Sequence, residues 1–528
     1  MKRIVHTLLA LVMCLSLAAC ASSNSAASDN TAVEALTVAI AHDIGDINLN
    51  SYNGSTVAQG MIFEGLIENT ADGPQPSLAE SWDISDDGTV YTFHLRKGVT
   101  FTDGEPFNAE AVKLNIEAVQ RNSTIHSWMG LCGKIVSCDV VDDYTFKLVL
   151  SGAYYPTLTE LGLTRPYRMM SPKSFIDGET MNGVSYYAGT GAYKLDKTVA
   201  DQYATFSANE NYWGGAPAIK TVTLKVMPAG ETTLLAFKNG EINFLFGTDE
   251  TGMIDADSLA ALAKDSKYQV KFSDPCATTL LVTNSQQDRL IADKNIKQAV
   301  WCAINRDDLC NFVFAGLKTP AQTLFDKTVP YCDVELETRN YDVDKAKSLV
   351  EASGWTMDDK TGYYTKDGKT LSLEFLYSSS LATNKTIGEF IQANLKQAGV
   401  EIKLIPVEDD TFYSMKQAGA FDLSLYTSWG LPYDPQSSLS SLFSSSANLS
   451  AASGLASYDK LHDEVSKAQV TTDETQRQAY YTSILQTVHE ECPFIPLAYS
   501  RISIATIAEL KGVSFSLTQY EIPFKAFH

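Results

Sequence analysis

Two hydrophobic periodicities interleave from Leu36 to His528 without an internal repeat, and this restricts the chain to a mixed α/β architecture with more than one core. Ala35 to Ala41 alternates like a strand, as do Val90 to Leu95, Tyr144 to Leu150 and Thr221 to Val226. Between them Asn108 is the expected N-cap of a helix carrying Val112, Ile116 and Val119 on one face. The second half repeats the mixture. Ile296, Ala299, Val300 and Ala303 share a helical face, and Asp342 caps a helix that runs to Ser353 and stops at Gly354. Leu371, Leu373 and Phe375 alternate after the Asp367-Gly368 turn, which predicts a hairpin. A helix from about Asn384 to Ala398 and strands at Ile402 to Val407 and Asp422 to Tyr426 follow. A single core stops growing at about 250–300 residues, so a chain of this length needs at least two lobes.

The start of the chain follows other rules. Lys2 and Arg3 precede a largely apolar run, Ile4 to Leu17, that closes on Leu17-Ala18-Ala19-Cys20. Charged, apolar and small residues in that order, ending on cysteine, resemble the lipobox of a bacterial lipoprotein signal peptide. The run is shorter than the roughly 20 apolar residues of a membrane span. Residues 1–20 are therefore read as the signal, Cys20 as the lipidated residue, and 21–35 as a flexible tether that begins small and polar. No later segment is apolar enough to cross a bilayer, so the expected place is the extracytoplasmic face of the membrane, on a lipid anchor.

A formal net charge of −22 repels polyphosphate and speaks against a nucleic-acid partner. The cysteines show neither CxxC pairs nor Cys/His zinc spacing. Cys132 and Cys138 flank five residues, a spacing that admits a bridge outside the cell, while the others read as small buried apolar residues. Gly189-Thr190-Gly191 leads into strand-like residues rather than a helix, which excludes a phosphate loop, and His489-Glu490-Glu491-Cys492 lacks a second histidine for zinc. No nucleophile elbow is present, and the chain is not read as an enzyme.

The segment Ala79-Glu80-Ser81-Trp82-Asp83-Ile84-Ser85-Asp86-Asp87-Gly88, running through Tyr91 to Phe107, resembles the signature of the dipeptide, oligopeptide and nickel substrate-binding proteins of ABC importers. Gly189 to Tyr193 and Asn209-Glu210-Asn211-Tyr212-Trp213 resemble it too. Ser151 to Pro156, Thr164-Arg165-Pro166-Tyr167-Arg168, Thr180 to Gly183, Ser428 to Pro435, Asp473 to Ala479 and Glu521 to Phe524 are similar to the nickel-binding members. The resemblance implies two α/β lobes of the large periplasmic-binding type with an extra subdomain in the first. Lobe I would span 36–272 and 499–528, lobe II 273–498, with hinges near 273–283 and 493–500. It also implies capture of a nickel or related metal chelate, with no intrinsic cofactor, and delivery to a permease driven by a separate ATPase.

In that pocket Arg165 falls on the carboxylate-binding arginine, a planar, permanently charged fork suited to a chelator's carboxylates. Trp429 and Tyr433 would supply flat amphipathic walls, Trp128 and Tyr413 match further aromatic positions, and Tyr52 matches a tyrosine at the mouth. Arg168 is read as structural. Ile125 stands where a second arginine is expected, and 437–453 contains no histidine, so direct ligation of the metal falls to the weak candidates His126 and His42. The chelator would otherwise satisfy the metal itself. The alternative cargo is a peptide. Peptide-binding relatives hold the free amine with an acidic residue beside the second-lobe tryptophan, and here only Asp434 lies close.

Overall fold

The computed structural model describes residues 32–248, 252–443 and 448–528. The signal segment, Cys20, the tether as far as residue 31, and residues 249–251 and 444–447 lie outside the described residues. Among those described, no helix is long and apolar enough to cross a membrane.

Ala35–Ile40 forms the centre of a seven-stranded sheet, parallel to Thr221–Val226 and Phe244–Gly247. Tyr193–Val199 and Tyr203–Ala208 extend one side, Ser503–Ile507 and Tyr268–Phe272 the other. Beside it stands a four-stranded antiparallel sheet in the order Ala79–Ile84, Val90–Leu95, Thr145–Leu150, Ile135–Asp142. The helix Ala109–Arg121 covers that sheet with Val112, Ile116 and Val119, and the Asn108 side chain caps it by accepting from Ala111 N at 3.0 Å.

A six-stranded sheet organises the second half. Ala277–Thr283 and Phe494–Ser500 are buried along their whole length, as central strands covered on both faces are. Ser372–Ser378 runs parallel to Glu401–Val407, and the helix Ala382–Gln397 makes the crossover that parallel pairing requires. The Asp367-Gly368 turn does form a hairpin, between Tyr363–Lys366 and Lys369–Thr370. The alternating residues after it leave that hairpin for the parallel sheet. Leu373 and Phe375 are fully buried with Glu374 exposed between them, and from Phe375 through Tyr377 of the same strand both faces are covered.

The chain passes between the two large sheets twice, from Phe272 to Ala277 and from Ser500 to Ser503. The passes lie side by side. Ser273 N–H donates to Ile502 O at 2.9 Å, Cys276 N–H to Ser500 O at 2.9 Å, and Arg501 Nε to Ser273 O at 2.8 Å. The seven described cysteines are buried and none is in a disulfide, Cys132 and Cys138 included. Burial pushes the Cys138 thiol up to about 12, which suits a packing role.

Candidate functional site

Trp128 lies in the turns between the helix Ala109–Arg121 and the strand Ile135–Asp142, on the small sheet's side. Trp429 and Tyr433 lie just beyond Leu423–Thr427 of the six-stranded sheet. The two bodies meet at these rings. Trp128 stacks on Trp429 with centroids 5.7 Å apart and planes 20° apart, and Tyr433 tilts against both, at 6.2 and 5.7 Å. Trp128 and Trp429 nevertheless keep 42% and 45% of their surface, so each has area left for a further flat group.

Local geometry fixes the loop that carries Trp429. Gly430 sits at φ +75°, and a Cβ there would meet Cys276 O at 2.4 Å, so a side chain is excluded by both conformation and space. Leu431 N–H donates to the same carbonyl at 3.0 Å. The aromatic wall thus rests directly on one of the passes between the sheets.

Arg165 approaches from the other side. Its guanidinium lies over the Tyr52 ring, 4.8 Å from the centroid, and Nη1 donates to Gly54 O at 3.1 Å. Among the described residues no carboxylate pairs with it, and burial lowers its affinity for the proton while Tyr433, Tyr52 and Tyr520 stand nearest. It is a half-buried cation that lacks an anion. Arg168, three residues on, is the opposite case, donating to Glu521 Oε1 at 2.7 Å and to Phe63 O at 3.1 Å. Thr164 Oγ1 donates to the same carboxylate oxygen, so Arg168 is structural.

A directed hydrogen-bond chain sets Trp128 and Tyr52. Trp128 Nε1–H donates to Tyr52 OH at 2.9 Å, that hydroxyl reaches His126 Nδ1 at 2.8 Å, and His126 Nε2 lies 3.0 Å from Asn50 Oδ1. Asn50 Oδ1 accepts only, which puts the proton on Nε2 and lets Nδ1 accept from Tyr52. His126 is fully buried, and that burial lowers its pKa to about 4, so the neutral ring the chain requires is the stable form. Burial likewise raises Tyr52 to about 12.

Of the residues expected at the pocket, Arg165, Tyr52, Trp128, Trp429 and Tyr433 come together. Tyr413 stands apart on the helix Asp409–Gln417, 59% exposed and edge-on to Phe412. His126 is adjacent, and both its nitrogens are engaged here, by Tyr52 and Asn50. His42 is exposed in the bend after Ala35–Ile40, outside the cluster. Among the described residues no group of three or more His, Cys, Asp or Glu side chains could hold a metal ion. Asp434 is buried and accepts from Gly430 N at 3.0 Å and from Ser438 Oγ, so it does not present itself to a cargo amine.

The sequence reading missed the contribution of the C-terminal segment. Tyr520 stands edge-on to Tyr433 at 6.3 Å, and Gln519 Nε2 donates to Trp429 O at 3.3 Å. The neighbouring Glu521 to Phe524 stretch was the available signal.

Residues 73–450 match the model of the bacterial extracellular solute-binding proteins, family 5. The chain is 35% identical over 526 residues to the nickel-binding periplasmic protein of Escherichia coli (strain K12), covering 98% of each. It is 23% identical over 461 residues to that organism's dipeptide-binding protein, covering 83% of each. Among solved structures, NikA from Brucella suis in complex with Fe(III)-EDTA is similar at a TM-score of 0.91 and 35% identity, over 94% of this chain and 99% of that one.

Proposed function

Because the chain belongs to the bacterial extracellular solute-binding proteins of family 5, we propose that it captures a nickel or related transition-metal chelate outside the cytoplasm and delivers it to an ABC permease. A separate ATPase subunit supplies the energy, and a lipid on Cys20 holds the protein at the membrane. One observation carries the cargo: Arg165, a half-buried guanidinium with no carboxylate partner among the described residues, has Tyr433 of the other body among its neighbours. Such a cation favours a ligand that brings its own carboxylate, and the half-exposed faces of Trp128 and Trp429 favour a flat one. Among the described residues no cluster of three or more His, Cys, Asp or Glu side chains could hold a metal, which favours a chelator that supplies most of the coordination.

A peptide cargo has less support. Its ammonium would need an acid in the cleft, and the nearby carboxylate, Asp434, is consumed by Gly430 N–H and Ser438. The lobes, 36–272 with 499–528 against 273–498, would close about the paired passes, and a cargo touching Arg165 and Trp429 together stabilises the closed form by differential affinity. The chain carries the binding step of transport. Native mass spectrometry of protein purified from its own host tests the reading: a retained mass containing a metal and an organic chelator is expected, and a retained peptide mass refutes it.

A further inference from the structure

A second junction joins the bodies away from Arg165. Tyr155, in the loop that leads into the short helix Thr157–Leu161, leaves the small sheet's body and enters a socket on the other. Its N–H donates to Gln469 O at 2.9 Å, and its hydroxyl meets Tyr481 OH at 3.2 Å. Arg477 lies over its ring at 4.2 Å, and Tyr331 stands edge-on at 6.0 Å while stacking on Tyr481 at 5.0 Å. Arg477 is held in turn by the Tyr331 hydroxyl and Thr471 O, partners within its own body rather than from Tyr155.

The junction belongs to the same wall as the aromatic cleft. Gln436 Nε2, one helical turn past Tyr433, donates to Tyr154 OH at 3.3 Å, and Gln469 Nε2 donates to Ser440 Oγ at 2.6 Å. On the opposite side Tyr154 is buried in the core shared by the small sheet and its helix, the body that carries Trp128. A rotation that draws Trp128 off Trp429 and Tyr433 must therefore draw Tyr155 out of its socket.

We infer that Tyr155 and the Tyr331–Arg477–Tyr481 socket form a cargo-independent latch that holds part of the ligand-free population closed. The inference rests on the clamp reading above. Residues that touch cargo set which chelate is bound, whereas the latch raises affinity for every cargo by the same factor, because apparent affinity scales with the closed fraction. The loss on removing it is about tenfold if that fraction falls from one half to one twentieth.

Hydrogen exchange on the ligand-free full chain tests this without any cargo. In Tyr155→Ala, exchange is expected to rise at the Tyr155 and Gln469 segments and also around Trp128 and Trp429. Tyr155→Phe, which keeps the ring and loses the hydroxyl contact, falls between, and an unchanged melting curve shows that folding is intact. Calorimetry with two probes, nickel(II) with L-histidine and Fe(III)-EDTA, should show equal fold-losses for whichever of them the wild type binds. Wild-type exchange around Trp128 and Trp429 in Tyr155→Ala overturns the latch whether or not a probe binds. Binding of neither probe by the wild type, with exchange raised in the variant, overturns the proposed cargo and leaves the latch standing.

Discussion

Replacing Arg165 by methionine isolates the charge that the cleft keeps for its cargo. Among the described residues the guanidinium makes one hydrogen bond, to Gly54 O, and a cation–π contact with Tyr52, so donors remain for a ligand. A hydrogen bond to a charged group contributes about 1.5–3 kcal/mol, which corresponds to roughly a 10- to 150-fold change in Kd. Burial already disfavours the charge in the ligand-free protein, so the variant should fold with undiminished stability. Arg165→Lys keeps the charge but not the fork, and should recover only part of the loss. Titration calorimetry of nickel(II)–histidine into each protein, with melting curves alongside, reads both effects. An unchanged Kd in Arg165→Met refutes the assignment, as does an equal loss for a chelate without carboxylates.

Trp128→Ala removes the stack on Trp429 and the donor to Tyr52 OH, and should cost about 1 kcal/mol of chelate affinity, read by calorimetry. Lys416 lies over Tyr426 and Phe412, and burial alone lowers it from 10.5 to about 7. Folding therefore releases its proton, and the wild type loses stability as pH falls from 10.5 towards 7, with no further loss below. Lys416→Met removes that loss, a gain of at most about 5 kcal/mol at pH 6.5 that shrinks by pH 10, measured by urea unfolding. Glu160, buried against Tyr154 and Leu131 N, is raised from 4.5 to about 7 by burial, so its contribution is intact below 4.5 and lost as pH rises through 7. Glu160→Gln should flatten the stability profile between pH 4.5 and 7.

Local interactions were legible in the residues. Asn108 and Asp342 cap their helices through donors three residues away, at 3.0 and 2.8 Å, and Gly354 ends the second helix at φ +80°, because caps depend on neighbours in sequence. The Asp367-Gly368 turn was legible for the same reason. The fate of Leu373 and Phe375 was not, since a buried parallel strand and a hairpin arm look alike until their partners are known. The six residues expected at the pocket all came from matching ordered motifs, and five of them come together. His126 was nominated only as a nearby imidazole; what the sequence did not show is that Tyr52 and Asn50, 74 and 76 residues away, engage both its nitrogens.

The sequence by itself determined the alternation of strand and helix, the caps and the need for more than one core, all consequences of spacing along the chain, while the aromatic and arginine inventory of a cleft followed from its resemblance to a family. Only the tertiary structure decided which donors and acceptors were already spent, that among the described residues Arg165 stands without a carboxylate while Arg168 has one, and that Tyr155 crosses to the other body. Those are properties of long-range pairs, and a hydrogen bond or charge satisfied across hundreds of residues leaves no local pattern to read.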